Sequence, residues 1–270
     1  MQPLFSVAGR HRLDQIVQPG VLCAFDFDGT LSPIVPQPDD ARLPDEVFRR
    51  LLSLSQLAPV AVLTGRSLED IRPRLGFEPQ YLVGNHGLQG LPGWERNSAA
   101  WRSVCEQWVA QLKSGLPADP GVVVENKQYS LALHYRHARD PARMAQQLRE
   151  LIDALDPAPR VVDGKFVYNL LPDAACDKGT ALERLIETSA CSTALYIGDD
   201  VTDEDAFRIQ HPGLLTIRIE PHDQSAAEFY LPQRHDIVHL LDHLIERLCA
   251  DTVGGLGSAG GIGQAMDSED

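Results

Sequence analysis

Short apolar runs recur along the chain at Val21–Phe25, Val60–Leu63, Tyr81–Val83, Ala194–Ile197 and Leu214–Ile217, with helical patterns between them. A strand that is apolar on both faces belongs inside a layered structure. Such strands, alternating with helices, run parallel and are joined by right-handed crossovers. Asp45 to Leu57 has helical spacing through Val47, Leu51 and Leu54, with an acidic first turn after Pro44. Ser67 to Leu75 reads as a helix with Ser67 as N-cap and Asp70 three residues on. Lys178–Glu187, Asp203–Ile209 and Asp236–Leu248 read as further helices. The pattern predicts an α/β fold built on a parallel sheet.

The middle of the chain breaks that rhythm. Ala99–Leu112 and Pro141–Leu155 are helical, and each precedes a hairpin pattern. Gly121–Glu125 and Tyr129–Tyr135 flank Asn126-Lys127-Gln128, and Arg160–Val162 and Phe166–Leu170 flank Asp163-Gly164, a strong hairpin turn signal. Helix, hairpin, helix, hairpin is an α+β unit inside an α/β chain. We expect a discontinuous core at 1–89 and 173–250, an inserted domain at 90–172, and a disordered tail at 251–270 that includes GGLGSAGGIG.

Charge narrows the partners. With 24 basic against 38 acidic side chains the net charge is -14, a poor match to nucleic acid, which is bound through basic surface. A phosphorylated small molecule stays open, because a local metal offsets negative charge. No apolar run is long enough to span a membrane, and MQPLFSVAGRHRLDQ lacks the apolar stretch of a signal peptide. Five cysteines without a C-x-x-C pair suit a reducing compartment. The expectation is a cytoplasmic monomer or small homo-oligomer.

Polar clusters stand where the strands stop. Asp26-x-Asp28 follows the first, Thr64-Gly65-Arg66 the second, and Asp199-Asp200-x-x-Asp203 follows Ala194–Ile197, while Lys178 opens the helix before that strand. In open parallel sheets, ligands bind outside the carboxyl ends of the strands. Two aspartates at the end of a buried strand are costly unless paired or bound to a metal.

In this order, DFDGT (26–30), LTGR (63–66), Lys178 and GDDVTD (198–203) resemble the four motifs of the haloacid dehalogenase superfamily of phosphotransferases. Gly84-Asn85-His86-Gly87, Val124-Glu125-Asn126-Lys127 and Glu204 after the last motif resemble the trehalose-6-phosphate phosphatase family in particular. The resemblance implies a Rossmann-like core with an inserted α+β cap, and a Mg2+-dependent hydrolase of trehalose-6-phosphate. It implies Asp26 as nucleophile, forming an aspartyl-phosphate, and Asp28 as the group that moves protons. Thr64 and Lys178 would bind phosphoryl oxygens, and Gly29 and Thr30 would lie against the phosphate. The implied ligands of Mg2+ are a carboxylate oxygen of Asp26, the backbone carbonyl of Asp28, and Asp199. For Asp200 and Asp203, metal contact competes with a supporting or capping role, Asp203 being placed to N-cap the next helix. Arg66 either holds a carboxylate or is solvated.

Sugar recognition falls to the inserted domain, where the resemblance places Glu125 and Lys127 on the disaccharide. Asn85 and His86 end the third strand, and His86 serves as a hinge residue or as a ligand contact. The family usually carries Glu in a V-x-E-x-x-P pattern; here Val167-Tyr168-Asn169-Leu170-Leu171-Pro172 puts Asn169 at that place. An amide still accepts from a hydroxyl but carries no charge, so a related glycosyl phosphate is an alternative substrate. A phospho-receiver domain also uses an Asp cluster with Thr and Lys, but it needs no inserted unit; an inactive binding module would not need these motifs intact. His235, His239 and His243 recur every four residues and read as a polar helix face rather than a metal stripe.

Overall fold

The computed structural model describes residues 1–172 and 176–256. In chain order the elements are β1 (Gln2–Pro3), α1 (Val7–Ile16), β2 (Leu22–Phe25), α2 (Asp45–Leu54), β3 (Val60–Leu63), α3 (Leu68–Leu75) and β4 (Tyr81–Val83). Then come α4 (Glu95–Lys113), β5 (Val123–Asn126), β6 (Leu131–His134), α5 (Pro141–Asp153), β7 (Arg160–Gly164) and β8 (Val167–Leu171). The chain continues with α6 (Lys178–Thr188), β9 (Ala194–Gly198), α7 (Glu204–Phe207), β10 (Leu214–Ile219), β11 (Phe229–Leu231) and α8 (Ile237–Leu256).

The expected apolar strands pair in one parallel sheet of order β1-β11-β10-β9-β2-β3-β4. Alternation sends their side chains to two cores. Cys23, Phe25, Val62 and Ile197 pack on one face against Leu13, Leu51, Leu240 and Leu244. Leu22, Ala24, Leu63 and Tyr196 pack on the other against Leu182, Leu185 and Phe207. From β2 the chain runs on to β3 and β4, and from its other neighbour β9 it runs on to β10 and β11, so the connections diverge toward opposite edges of the sheet. The crevice at the carboxyl end of β2 is the switch point of the topology.

A second, antiparallel sheet of order β5-β6-β8-β7 belongs to the insertion. Leu131, Leu133 and Leu170 turn one face onto Trp108, Leu112, Leu148 and Ile152 of α4 and α5. The other face carries two rows set by the register: Glu125, Ala132, Asn169 and Val162, then Val123, His134, Val167 and Gly164. That polar face looks toward the core.

The sequence reading omitted β1, β11 and α1, and it ran α2 to 57 where it ends at Leu54. The expected helix over Asp203–Ile209 is a 3-10 turn at Val201–Asp203 followed by α7. α8 continues to Leu256 rather than ending near 248. The rest of the expected tail, 257–270, and Asp173 at the expected domain boundary lie outside the described residues. His235 is exposed in the 3-10 turn Arg234–Asp236 ahead of α8; on α8 His239 is exposed and His243 half-buried, and Ile237, Leu240, Leu241 and Leu244 are the buried side. Among the described residues no helix is long and apolar enough to cross a membrane.

Candidate active site

Asp26 follows β2 at the switch point and is 4% exposed. Lys178, the first residue of α6, reaches it: Nζ donates to Asp26 Oδ1 at 2.6 Å and to Asp203 Oδ1 at 2.7 Å. The helix start is fixed by Asp177, which caps it by accepting from Thr180 N. Burial alone would lower the Lys178 pKa, but the charges of Asp203 and Asp26 outweigh it and raise it. Burial pushes Asp26 well above the usual carboxylate range; Lys178 opposes this, and Asp203 and Asp199 add to it. Burial and then Asp203 push Asp199 up to about 7.

Asp203 is fully buried and fully used. Its Oδ1 also accepts from the Tyr196 hydroxyl at 2.5 Å, and its Oδ2 accepts from the backbone N–H of Asp199 at 2.9 Å and Asp200 at 3.0 Å. It therefore does not cap α7, as the sequence suggested, but reaches back to hold the loop that presents Asp199. Thr30 is buried and its hydroxyl donates to Asp199 Oδ1 at 3.0 Å. It supports Asp199 rather than lying open to the cleft, because a buried carboxylate needs donors. Gly29 has φ of 88°, and a Cβ there would come within 2.1 Å of Asp199 Oδ2, so the residue must be glycine for the two loops to meet. Oxygens of Asp26, Asp199 and Asp203 lie within 4.8 Å of one another.

Asp28 lines the cleft with Asp26 while Phe27 between them is fully buried. Both Asp28 oxygens accept from Arg66, at 2.6 and 2.7 Å. Arg66 also donates to Asp70 at 2.7 Å and to Pro38 O at 3.1 Å, so it holds carboxylates and is not solvated. Burial would lower its pKa and these pairings raise it. Thr64 is buried and its hydroxyl accepts from Arg66 N at 3.2 Å, fixing the turn that aims the guanidinium.

The second sheet sits over this cluster. Lys127 Nζ donates to Gly65 O at 3.1 Å, Ser130 Oγ to Asn85 Oδ1 at 2.6 Å, and Gln128 Nε2 to Glu69 at 3.0 Å. Arg160 on β7 pairs with Asp177 at 3.1 Å and Asp205 at 2.9 Å. Asn85 was expected near a ligand. It is completely buried, and its amide is spent on Ser130, on Gln89 at 2.5 Å and on Lys127 O at 3.4 Å. It ties the insertion to the core.

Between the sheets lies a cleft of about 240 Å³ lined by Asp26, Asp28 and Lys178 below and by Glu125, Lys127 and Asn169 above. Asp200 and His86 stand at its sides. Sequence reasoning missed His134, whose Nε2 lies 2.9 Å from Glu125 Oε2. Burial would raise the Glu125 pKa, but the His134 contact and the Lys127 charge together outweigh it and lower the carboxyl. The hairpin register carried the signal, since Glu125 and His134 fall on one face as diagonal cross-strand neighbours.

His86 gives a pH signature. Burial first, then Lys127 and Lys178, hold its pKa well below the ordinary value near 6.5. Below that value the unfolded chain takes a proton that the folded chain refuses, so this contribution is present above pH 6.5 and lost as pH falls. Urea denaturation should show stability falling by up to about 1.4 kcal/mol per pH unit more steeply in the parent than in His86→Asn below pH 6.

Over residues 24–233 the sequence matches the family described as Trehalose-phosphatase. The chain belongs to this family. A trehalose-phosphate phosphatase of Mycobacterium bovis is 36% identical over 253 residues, which cover 86% of this chain and 62% of that protein. One from Mycolicibacterium paratuberculosis is 40% identical over 213 residues, covering 74% of this chain and 52% of its own. The chain thus spans about three fifths or less of the length of these curated relatives. Among solved structures, the Aspergillus fumigatus trehalose-6-phosphate phosphatase is similar at a TM-score of 0.63 and 26% identity, covering 91% of this chain and 99% of that one. The C-terminal domain of the Candida albicans enzyme shares the fold, with a TM-score of 0.69 at 22% identity over 91% of this chain and 98% of that one. The α/β core with a capping insertion is therefore the family's architecture.

Proposed function

We propose that this chain hydrolyses trehalose-6-phosphate to trehalose and phosphate, with Asp26 as nucleophile. The observation that carries the reading is the placing of Asp26. It is a buried carboxylate with one oxygen held by Lys178, at a switch point, facing a cleft whose roof is the polar side of the inserted sheet. The activity in the names of its relatives agrees with it.

One carboxylate oxygen of Asp26 would attack phosphorus as the bond from phosphorus to the sugar oxygen breaks, leaving the other for the cation. Asp28 would give its proton to that oxygen, then take one from the water that attacks the aspartyl-phosphate, which returns Asp26 and releases phosphate. Both Asp28 oxygens now rest on Arg66, so proton transfer requires Arg66 to yield one hydrogen bond. Lys178 would neutralise charge on the phosphoryl oxygens, and Thr64 would keep the Gly65–Arg66 turn in place beside them.

The donor set fits Mg2+, a hard cation that takes oxygen ligands. Asp203 has both oxygens engaged, whereas Asp26 Oδ2 and Asp199 Oδ2 have no hydrogen bond among the described contacts. Asp26 and Asp199 would hold the ion together with the Asp28 carbonyl, and Asp203 would orient Asp199. When bound, the ion offsets the repulsion between Asp26 and the phosphate. Glu125 and Lys127 would contact the disaccharide.

Phosphate release from a panel of sugar phosphates with Mg2+ tests the substrate. Trehalose-6-phosphate should exceed glucose-6-phosphate by at least about tenfold in kcat/KM, because the second ring supplies hydroxyls for the roof. Equal rates would remove the disaccharide assignment. Asn169 favours, as second reading, a related glycosyl phosphate, which the same panel would reveal.

A further inference from the structure

Lys178 reaches Asp26 and Asp203 from the first position of α6, so its place depends on the two residues before it. Both are held from the insertion. Arg160 opens β7 opposite Leu171, the last residue of β8. Its Nη1 donates to Cys176 O at 2.8 Å and to Asp177 Oδ2 at 3.1 Å, and its Nη2 donates to Asp205 Oδ2 at 2.9 Å. Among the described residues, the ion pairs that join the insertion to the core are both made by Arg160. The Arg160 side chain is only 21% exposed, so these pairs are screened less than surface ones.

Asp177 has two duties on two oxygens. Oδ1 accepts from Thr180 N at 2.7 Å and caps α6, while Oδ2 takes Arg160. At Gly179 a Cβ would come within 2.4 Å of Asp205 O, so α6 and α7 meet closely and set Asp177 beside Asp205. Burial and then the charge of Asp177 push the Asp205 carboxyl up, and Arg160 opposes them. A guanidinium fork suits two adjacent carboxylates better than a single ammonium would. Asp205 also stands two residues after Asp203, the second carboxylate that holds Lys178. The two prongs of Arg160 thus end on the two segments between which Lys178 is placed.

We propose that Arg160 is a positioning residue for the reaction: acting through Asp177, it fixes the start of α6 and so holds Lys178 against Asp26 and the phosphoryl group. The inference rests on the phosphatase reading for the identity of that group. Lys178 serves two carboxylates at once, and hydrogen bonds weaken steeply when their direction is lost, so a small shift of α6 costs one of them. The insertion is then part of the frame for phosphoryl transfer, and loosening its grip slows chemistry on any phosphate ester, with or without a sugar.

Steady-state kinetics of the full chain with Mg2+ test this on trehalose-6-phosphate and on p-nitrophenyl phosphate, which has no sugar. Arg160→Gln should lower kcat on both by a similar factor, about tenfold or more, with KM for trehalose-6-phosphate within about threefold. Arg160→Lys restores the charge without the fork and should recover part of the loss. Asp177→Asn keeps the cap of α6, because Asn caps as well as Asp, and should lose about as much as Arg160→Gln. Asp205→Asn leaves the Asp177 prong and should lose less. By calorimetry, inorganic phosphate should bind both Arg160→Gln and Asp177→Asn about tenfold more weakly than the parent. A field effect alone would strengthen phosphate binding in Asp177→Asn, since an anion is removed, and that result would overturn the proposal. So would a raised KM for trehalose-6-phosphate with p-nitrophenyl phosphate unaffected, or a loss in Asp205→Asn equal to that in Asp177→Asn. Should Arg160→Gln fail to fold, Arg160→Lys and Asp177→Asn carry the comparison. A parent that releases phosphate from no ester fails the phosphatase reading instead; the phosphate affinities then decide, and equal affinities overturn the role of Arg160.

Discussion

Asp26→Asn should lower phosphate release from a sugar phosphate by at least about a thousandfold, the scale of loss when a nucleophile is removed. The two side chains are nearly the same size, and the Asn carbonyl can still accept from Lys178 Nζ, which now lies 2.6 Å from Oδ1. What disappears is the charged oxygen that attacks phosphorus. The fold should survive. Asp26 shares the cluster with Asp199 and Asp203, and like charges at about 4 Å repel by roughly 4 kcal/mol at an effective dielectric constant of 20. Relief of that repulsion offsets much of the weakened pairing with Lys178. Acid quench during turnover should trap covalent phosphate on the parent and none on the variant. Near-normal release by a freshly purified variant would remove Asp26 from its role.

The sheet and the ends of its strands were legible because two strong signals coincide there. Runs such as Val60–Leu63 are apolar on both faces, and the aspartates break those runs where a parallel sheet opens. Elements with weaker signals were missed for physical reasons. α1 buries Gly9, Leu13 and Ile16, a helical i, i+4, i+7 spacing in which one of the three is a glycine and only two are large apolar side chains, and β1 has two residues, both exposed, so neither stands out as a hydrophobic pattern. Side-chain duties were harder to read than positions. Thr30, Asn85 and Asp203 stand inside the motifs that resemble the family, yet their bonds go to other protein groups. Thr30 supports Asp199 across 169 positions of sequence and Asn85 holds Ser130 across 45. Motif spacing says which loops converge, not which polar group faces the substrate and which holds the group that does. Arg66 is the middle case. Its position was evident, and its two carboxylate partners became clear only once the strands beside β2 were in register.

Lys178→Met should cost about 3–5 kcal/mol of folding stability when no divalent cation is present, the range for breaking a buried ion pair from one side. Methionine fills much of the space and removes the cost of burying an ammonium, which argues for a small effect. The carboxylates decide against it. Asp26 and Asp203 are 6% and 0% exposed at the side chain, and both lean on Nζ. Without it they face each other and Asp199 with no cation between them. Asp203 keeps Tyr196 and two backbone donors, so Asp26 carries most of the loss. The pH dependence has a definite sign. In the variant the crowded carboxyls take up protons more readily folded than unfolded, so stability rises as pH falls and the deficit is larger at pH 8 than at pH 5. Adding Asp26→Asn should restore part of the stability, since the charge left stranded is then gone. Urea denaturation of the three proteins at both pH values measures this. A deficit below about 1 kcal/mol, equal at pH 5 and pH 8, would mean that Asp26 and Asp203 are not held by Lys178, and would also weaken its assignment to the phosphoryl oxygens.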